Sequence, residues 1–258
     1  MSSELSIRSP ASGEGWTEHF LNKKQASATV GADGALSLGH SVIVLHELAT
    51  EAECEALRVE AASAACTVRS EASSRWNNPD DPGRIRFPIL EALKQESQDL
   101  CDRLLLRAVA QLRAALPPLI PKLFGQAVEE TLCGEKSTIC RNELLRFSPR
   151  EPAVNVYESG GWFKPHKDEE ALTVLLPLTG AEHFSGGGTA FYSVDDLDPV
   201  QPCKPTSSEP TLTLTPAAGA ALIFTGRVVH GAVKVLGGER CVFVASFSAS
   251  SVFVNDET

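Results

Sequence analysis

The sequence predicts a mainly β protein of the α+β class: a β-sandwich or jelly roll with helices packed on its outer face. Three observations predict it. Between residues 50 and 131 apolar side chains recur at three-four spacing, the mark of amphipathic helices. From residue 140 the period shortens to two and stays there. Gly, Pro, Asp and Ser turns separate the short β-rich runs that follow. With 258 residues the chain can bury one full core, as all-β sandwiches and barrels of this size do in a single domain.

Residues 1–38 are rich in Ser, Gly, Ala and charged side chains without a sustained period, which predicts a flexible N-terminal extension ahead of a single domain over 39–258. SVIVLHEL, Ser41 to Leu48, is the first strand. Thr50 with Glu53 three residues on makes a capping-box pattern that opens a helix to about Cys66. SSRWNNPDDPGRIRF, dense in Asn, Asp, Pro and Gly, is a long turn-rich connection; the segment 67–88 is either a lid over a site or a plain connector. After Pro88 a helical stripe runs through Leu90, Leu93, Ser97, Leu100 and Leu104. It continues over Leu105, Val109, Leu112 and Leu116, and Pro117 and Pro118 end it. A second helical piece, about Ile120 to Thr131, completes the helical support of 50–131.

The jelly-roll core spans 140–250, with short runs at NELLRFS, AVNVY, LTVLLPL, TAFYS, TLTLT, AALIF, AVKVL and CVFVASF. A polar, Pro-rich loop, 193–211, joins two of them.

Composition removes several classes of function. A formal net charge of −10 with no clustered basic surface argues against a nucleic-acid partner. No apolar run approaches the roughly 18 to 20 residues of a spanning helix, so no membrane role is expected. The first residues lack the basic and apolar regions of a signal peptide, and the end carries no ER-retention tetrapeptide. Seven cysteines, at 54, 66, 101, 133, 140, 203 and 241, include no C-x-x-C pair. Their odd number excludes a fully paired disulfide framework, and their spacing disfavours a zinc ribbon. Reduced thiols in a cytoplasmic or nuclear protein are expected.

The chemistry concentrates in GGWFKPHKDEE, Gly160 to Glu170. In an extended segment side chains at i and i+2 share a face, so His166 and Asp168 can aim a nitrogen and a carboxylate oxygen at one point. His230, after the apolar run GAALIFTGRVV, is placed to supply a third ligand where that strand gives way to a turn. Two histidines and one carboxylate make the facial triad of non-haem Fe(II), with positions left open for a co-substrate and O2. A His-x-Asp pair alone occurs often by chance, usually as surface or hydrogen-bonding residues. Arg240, ten residues after His230, starts CVFVASF, expected to pair with the strand leaving His230. Its fixed charge and forked geometry suit a carboxylate, or it is a surface arginine at a strand end.

NVYESGGWFKPHKD, residues 155–168, resembles the Asn-x-Tyr-x-x-Gly-x-x-Phe-x-x-His-x-Asp entry of the prolyl 4-hydroxylase type 2-oxoglutarate and Fe(II)-dependent dioxygenases. LTVLLPL, FSGGGTAF and GAALIF leading to the His230 to Arg240 spacing resemble later motifs of that family in the same order. VLHELATEAECEAL is similar to its opening strand and helix. The resemblance spans about 42–248 and implies a double-stranded β-helix with Fe(II) held by His166, Asp168 and His230. It further implies 2-oxoglutarate chelating the iron, with its far carboxylate on Arg240, succinate and CO2 as products, and ascorbate as an auxiliary reductant.

Tyr157 matches the family's pocket tyrosine, or is a strand tyrosine with its hydroxyl at the surface. Thr173 falls on a position that in relatives faces the 2-oxoglutarate, or is an ordinary β-branched strand residue. Trp162 and Phe163 stack on substrate or belong to the core. Gly186, Gly187 and Gly188 form a bend. His19, His40, His46 and His183 read as bystanders, and Arg227 and Lys234 as spare cations near His230. One departure stands out: Leu176-Pro177 occupies the place where some relatives carry a tyrosine on the cosubstrate tail.

The implied activity is a hydroxylase acting with O2 on a peptidyl substrate, prolyl being the family precedent, or on a small molecule; oligomeric state is left open. The rivals are a catalytically silent jelly-roll binding module and a cupin-like metal enzyme that uses no oxo acid.

Overall fold

The structure, a computed structural model, describes residues 7–8, 15–22, 32–70, 83–132 and 139–250. In chain order the N-terminal part holds strands β1 (Ile7–Arg8) and β2 (Trp16–Phe20), helix α1 (Ala32–Ser37), strand β3 (Ser41–Leu45) and helix α2 (Glu51–Ser70). Strand β4 (Arg84–Pro88) leads into helices α3 (Ile89–Ala92), α4 (Gln95–Ala115), α5 (Leu119–Phe124) and α6 (Gln126–Leu132). Then come strands β5 (Leu145–Phe147), β6 (Ala153–Tyr157), β7 (Phe163–His166), β8 (Leu172–Pro177), β9 (Phe184–Gly186) and β10 (Thr189–Tyr192). The last described strands are β11 (Leu212–Leu214), β12 (Ala221–Phe224), β13 (Val229–Ala232), β14 (Val235–Gly238) and β15 (Arg240–Ala249).

The strands form antiparallel sheets. The larger runs β1-β2-β3-β12-β8-β15-β6-β4, with β5 also paired to β15; the smaller runs β11-β10-β13-β7, and β14 pairs with β9. Period-two alternation gives the larger sheet two apolar faces. On one face Ile43, Ile223, Val174, Phe243 and Phe247 share a core with helix residues Leu57, Leu104, Leu105, Leu119 and Phe124. On the other, Val42, Leu222, Phe224, Leu175, Val242 and Tyr157 pack with Phe191 from the smaller sheet and with Val228, just ahead of β13. The result is a jelly-roll-like pair of sheets with helical residues in contact with the larger one.

Local chemistry accounts for the helix ends. Glu53 N–H donates to Thr50 Oγ1 at 3.2 Å and Thr50 N–H donates to Glu53 Oε2 at 2.9 Å, so the capping box satisfies two otherwise orphaned donors. The helix runs on to Ser70, beyond the expected Cys66. The stripe expected to start at Pro88 is broken at Leu93, which is extended, and the piece over 120–131 is divided at Gly125, whose φ of 82° a helix cannot hold.

Three other expectations change. Within 1–38, read as a flexible extension, Trp16–Phe20 pairs along its whole length with β3, and Phe20 is buried. Within 67–88, the last residues are the strand β4, paired to β6 from Arg84↔Tyr157 to Pro88↔Ala153; residues 71–82, where the lid was expected, lie outside the described residues. Third, β15 pairs with β5, β6 and β8, not with the strand bearing His230. The run AVKVL is divided between β13 and β14, and β14 turns away to β9. Among the described residues no helix is long and apolar enough to cross a membrane, and six cysteines carry free thiols; Cys133 lies outside them.

Candidate metal centre

His166 ends β7 and His230 sits inside β13, and the two are direct antiparallel partners in the smaller sheet. Their ring centroids are 4.3 Å apart. Asp168 follows two residues after His166, where the chain leaves the sheet, and its carboxylate reaches back: Oδ1 lies 3.3 Å from His166 Nε2 and Oδ2 lies 3.5 Å from His230 Nε2. One ligand atom from each of the three falls within 4.8 Å of the others.

The supporting bonds determine which nitrogen is available. His166 Nδ1 is 3.0 Å from Lys164 O, and His230 Nδ1 is 3.3 Å from Val228 O. A carbonyl only accepts, so each bond places the ring proton on Nδ1 and leaves the Nε2 lone pair facing Asp168. Burial beside Phe224, whose ring is 4.5 Å from His230, pushes that imidazole down to about 4 despite the pull of Asp168. Burial also opposes the charge of Asp168, but His230, His166 and a hydroxyl from Thr173 outweigh it and hold the carboxyl below its ordinary range. A neutral imidazole at His230 and an ionised carboxylate at Asp168 are protonation states a divalent metal requires of its ligands. Two nitrogens and one oxygen on one side, with a cavity on the other, fit a non-haem ferrous ion in chemistry and in openness.

That cavity, of about 260 Å³, lies between the two sheets. The larger sheet contributes a row across three strands, because Tyr157 on β6 is the register partner of both Arg84 on β4 and Arg240 on β15. Arg240 is 3% exposed, and its guanidinium makes one hydrogen bond among the described residues, Nη2 to Thr189 Oγ1 at 3.0 Å. Burial pulls its pKa down, opposed by Tyr157 and Cys241. A buried cation facing a cavity is stabilised by an anion bound there. Gly187 makes room for it: its φ is 68°, and a Cβ there would stand 2.7 Å from the Phe184 ring and 3.4 Å from Arg240 Cδ.

Of the expected site residues, His166, Asp168, His230, Arg240 and Tyr157 come together around the cavity. Arg240 arrives from the opposite sheet and not from a strand beside His230. Tyr157 is buried, which removes the surface alternative for it. Thr173 is not among the residues lining this cavity, and its hydroxyl donates to Asp168 Oδ2 at 2.6 Å. Phe163 meets His166 edge-on at 4.5 Å and carries the Arg84 guanidinium 3.9 Å from its centroid, whereas Trp162 is 42% exposed. Arg227 and Lys234 are exposed and line no part of the cavity.

The lining residues that were not anticipated include Arg84, Arg86, Glu151 and Thr189. The alternation Arg-Ile-Arg-Phe, two cations on one side of a short strand, was the available signal for the first pair. Arg86 pairs with Glu151 at 2.6 Å, and Glu151 Oε2 accepts from Ser246 N–H at 2.6 Å. Burial raises the Glu151 pKa in spite of Arg86.

No protein-family model matches the chain, and no curated protein matches it. Solved structures do. It is similar to HygX from Streptomyces hygroscopicus, whose structure holds nickel and 2-oxoglutarate, at 14% identity over 81% of this chain and 83% of that one, with a TM-score of 0.47. It is similar to a prolyl-4-hydroxylase from Pseudomonas putida at 16% identity over 81% of this chain and 93% of that one, TM-score 0.48. Against EvdMO1 the identity is 13%, the coverage 81% of this chain and 47% of that one, and the TM-score 0.51. At such identities the likeness is one of fold, and the superposition on EvdMO1 carries it: over four fifths of its length the chain shares that fold.

Proposed function

We propose that the chain is a 2-oxoglutarate- and Fe(II)-dependent dioxygenase, built as a double-stranded β-helix, that hydroxylates a substrate with release of succinate and CO2. The observation that carries it is the convergence, in one cavity, of His166, Asp168 and His230 with a buried guanidinium, Arg240, from the facing sheet. The ordered motifs of the prolyl 4-hydroxylase type support the same assignment.

Fe(II) held by the three ligands would supply the activation of O2. The protein's own contribution is geometric and electrostatic. Nδ1–H bonds to Lys164 O and Val228 O fix both imidazoles, and the Thr173 hydroxyl fixes the carboxylate. Arg240, with the Thr189 hydroxyl beside it, grips the far carboxylate of 2-oxoglutarate as a charge-assisted pair. Thr189 thereby supplies a polar contact on the tail where Leu176-Pro177 replaces the tyrosine of some relatives. Tyr157, Phe163 and Val242 wall the cavity and exclude water. Its volume of about 260 Å³ admits a small molecule or one projecting side chain of a peptide, prolyl or other.

The test is succinate formation from 2-oxoglutarate with Fe(II) and ascorbate. Release that disappears in Asp168→Ala supports the assignment. No release with any substrate tried, from protein that binds the metal, favours a silent binding module.

A further inference from the structure

Resting on the metal centre of the assignment above, we infer that Glu151 is a positioning residue for the ligand Asp168, acting through Ser246 and Thr173. A line of polar groups runs across the larger sheet. Arg86 Nη2 donates to Glu151 Oε1 at 2.6 Å, and Ser246 N–H donates to Glu151 Oε2 at 2.6 Å. Ser246 and Thr173 are register partners on β15 and β8, both fully buried, with their hydroxyl oxygens 3.2 Å apart. Thr173 has one hydroxyl proton, and it goes to Asp168 Oδ2. The Ser246 hydroxyl is therefore the donor between the two, and it keeps the Thr173 proton turned toward the metal ligand.

Strand order explains why the line starts at Glu151. Strand β15 pairs with β6 as far as Val244↔Ala153 and with β5 from Phe247↔Phe147 onward, so Ser246 falls in the gap between two neighbours. Ser148 N–H closes the gap on one side by donating to Ser246 O at 2.9 Å, and the Glu151 carboxylate closes it on the other. The same turn reaches the ligand directly, with Ser148 Oγ 3.5 Å from Asp168 O. A buried N–H needs an acceptor, which many side chains could supply. Both partners of Glu151 are donors, however, and a carboxylate accepts one with each oxygen, whereas a carboxamide would turn its own N–H groups toward one of them. The Glu151 side chain is 5% exposed and stands in the wall of the metal cavity, where Arg86 offsets its charge. Fixing Glu151 fixes Ser246, and through two hydroxyls the angle at which Asp168 meets the metal.

The test is a double-mutant cycle read by Mn(II) titration of the full chain, with near-UV circular dichroism reporting an intact fold. Glu151→Gln and Ser246→Ala are each expected to weaken Mn(II) by about ten-fold. In a Thr173→Val background, where the last hydroxyl of the line is gone, either change should add less than about two-fold, because all three act along one path. A side chain that merely filled the gap beside Ser246 would lower stability without this coupling. The inference is overturned if folded Glu151→Gln binds Mn(II) within about two-fold of wild type, or if its effect multiplies in full with that of Thr173→Val. Should Glu151→Gln fail to fold, Arg86→Gln, which leaves the carboxylate in place but unanchored, takes its position in the cycle under the same criteria. If wild type takes up no Mn(II), the metal centre fails and this inference with it. If wild type takes up Mn(II) but no 2-oxoglutarate, the assignment of function fails, and the cycle still decides the role of Glu151.

Discussion

The Thr173 hydroxyl donates a 2.6 Å hydrogen bond to Oδ2 of Asp168 and lies 3.2 Å from the Ser246 hydroxyl, so a residue on the larger sheet orients a metal-binding carboxylate that follows the smaller one. Partners of this kind fix the angle a ligand presents, and their loss costs about 10- to 100-fold in metal affinity. Thr173→Val, which keeps the shape and removes the hydroxyl, should weaken Mn(II) binding by about that factor, and Thr173→Ser should restore it. Unchanged Mn(II) affinity in Thr173→Val together with weakened 2-oxoglutarate binding would return Thr173 to a direct role at the cosubstrate.

Arg240 is separable from the metal. It reaches the cavity from β15 and touches none of the three ligands by hydrogen bond; its one such partner among the described residues is Thr189. Removing one member of a buried charge pair costs about 2 kcal/mol or more, so Arg240→Ala should weaken 2-oxoglutarate by at least about 30-fold. Metal affinity should stay unchanged, and Arg240→Lys should fall between, having charge without the fork. Titration of 2-oxoglutarate into the Mn(II) protein checks this; an unchanged dissociation constant in Arg240→Ala would place the tail elsewhere.

The triad was readable because its information is local or nearly so. His166 and Asp168 are two residues apart in an extended stretch, and His230 lies just after the turn that follows a clearly apolar strand. The row of Arg84, Tyr157 and Arg240 was not readable, since it depends on the register of three strands that lie far apart in sequence. Strand β4 offers only a few alternating residues between a turn-rich segment and a helix, and the turn signals dominate. In β2 the sequence Trp-Thr-Glu-His-Phe looks solvated, yet Glu18 is buried where the Ser41 hydroxyl donates to it at 2.6 Å. Tertiary pairing there overrides local polarity.

Glu53 gives a dependence of stability on pH whose sign follows from its partners. Side-chain bonds from Arg107, and to a lesser degree the Thr50 N–H and hydroxyl, lower its pKa from 4.5 to about 2 against the cost of burial. Between those values the unfolded chain binds more protons than the folded one, so stability falls as pH drops through that window and is fully present above it. The cap and a partly exposed ion pair together contribute about 1 kcal/mol. Glu53→Gln should therefore cost about that much in urea unfolding at pH 7 and progressively less as the pH approaches the folded value. An equal cost at both ends would mean that the carboxylate charge is not what stabilises the helix start.

Phe247 tests whether helices and sheet unfold together. Its ring is fully buried on β15, stacked at 5.4 Å on Phe124 from α5 and tilted at 5.4 Å against Phe147 from β5. Truncation removes apolar area and leaves a cavity that aromatic neighbours on two layers fill only in part, at a cost of about 3 to 5 kcal/mol for Phe→Ala. Phe247→Leu, which retains most of the volume, should cost markedly less. Phe247 alternates away from the cavity, so Mn(II) affinity of the folded Phe247→Leu protein should match wild type. If far-UV and near-UV signals of Phe247→Ala separate into two urea transitions, the helical layer and the sheets are independent units. A single transition shifted to lower urea makes them one core.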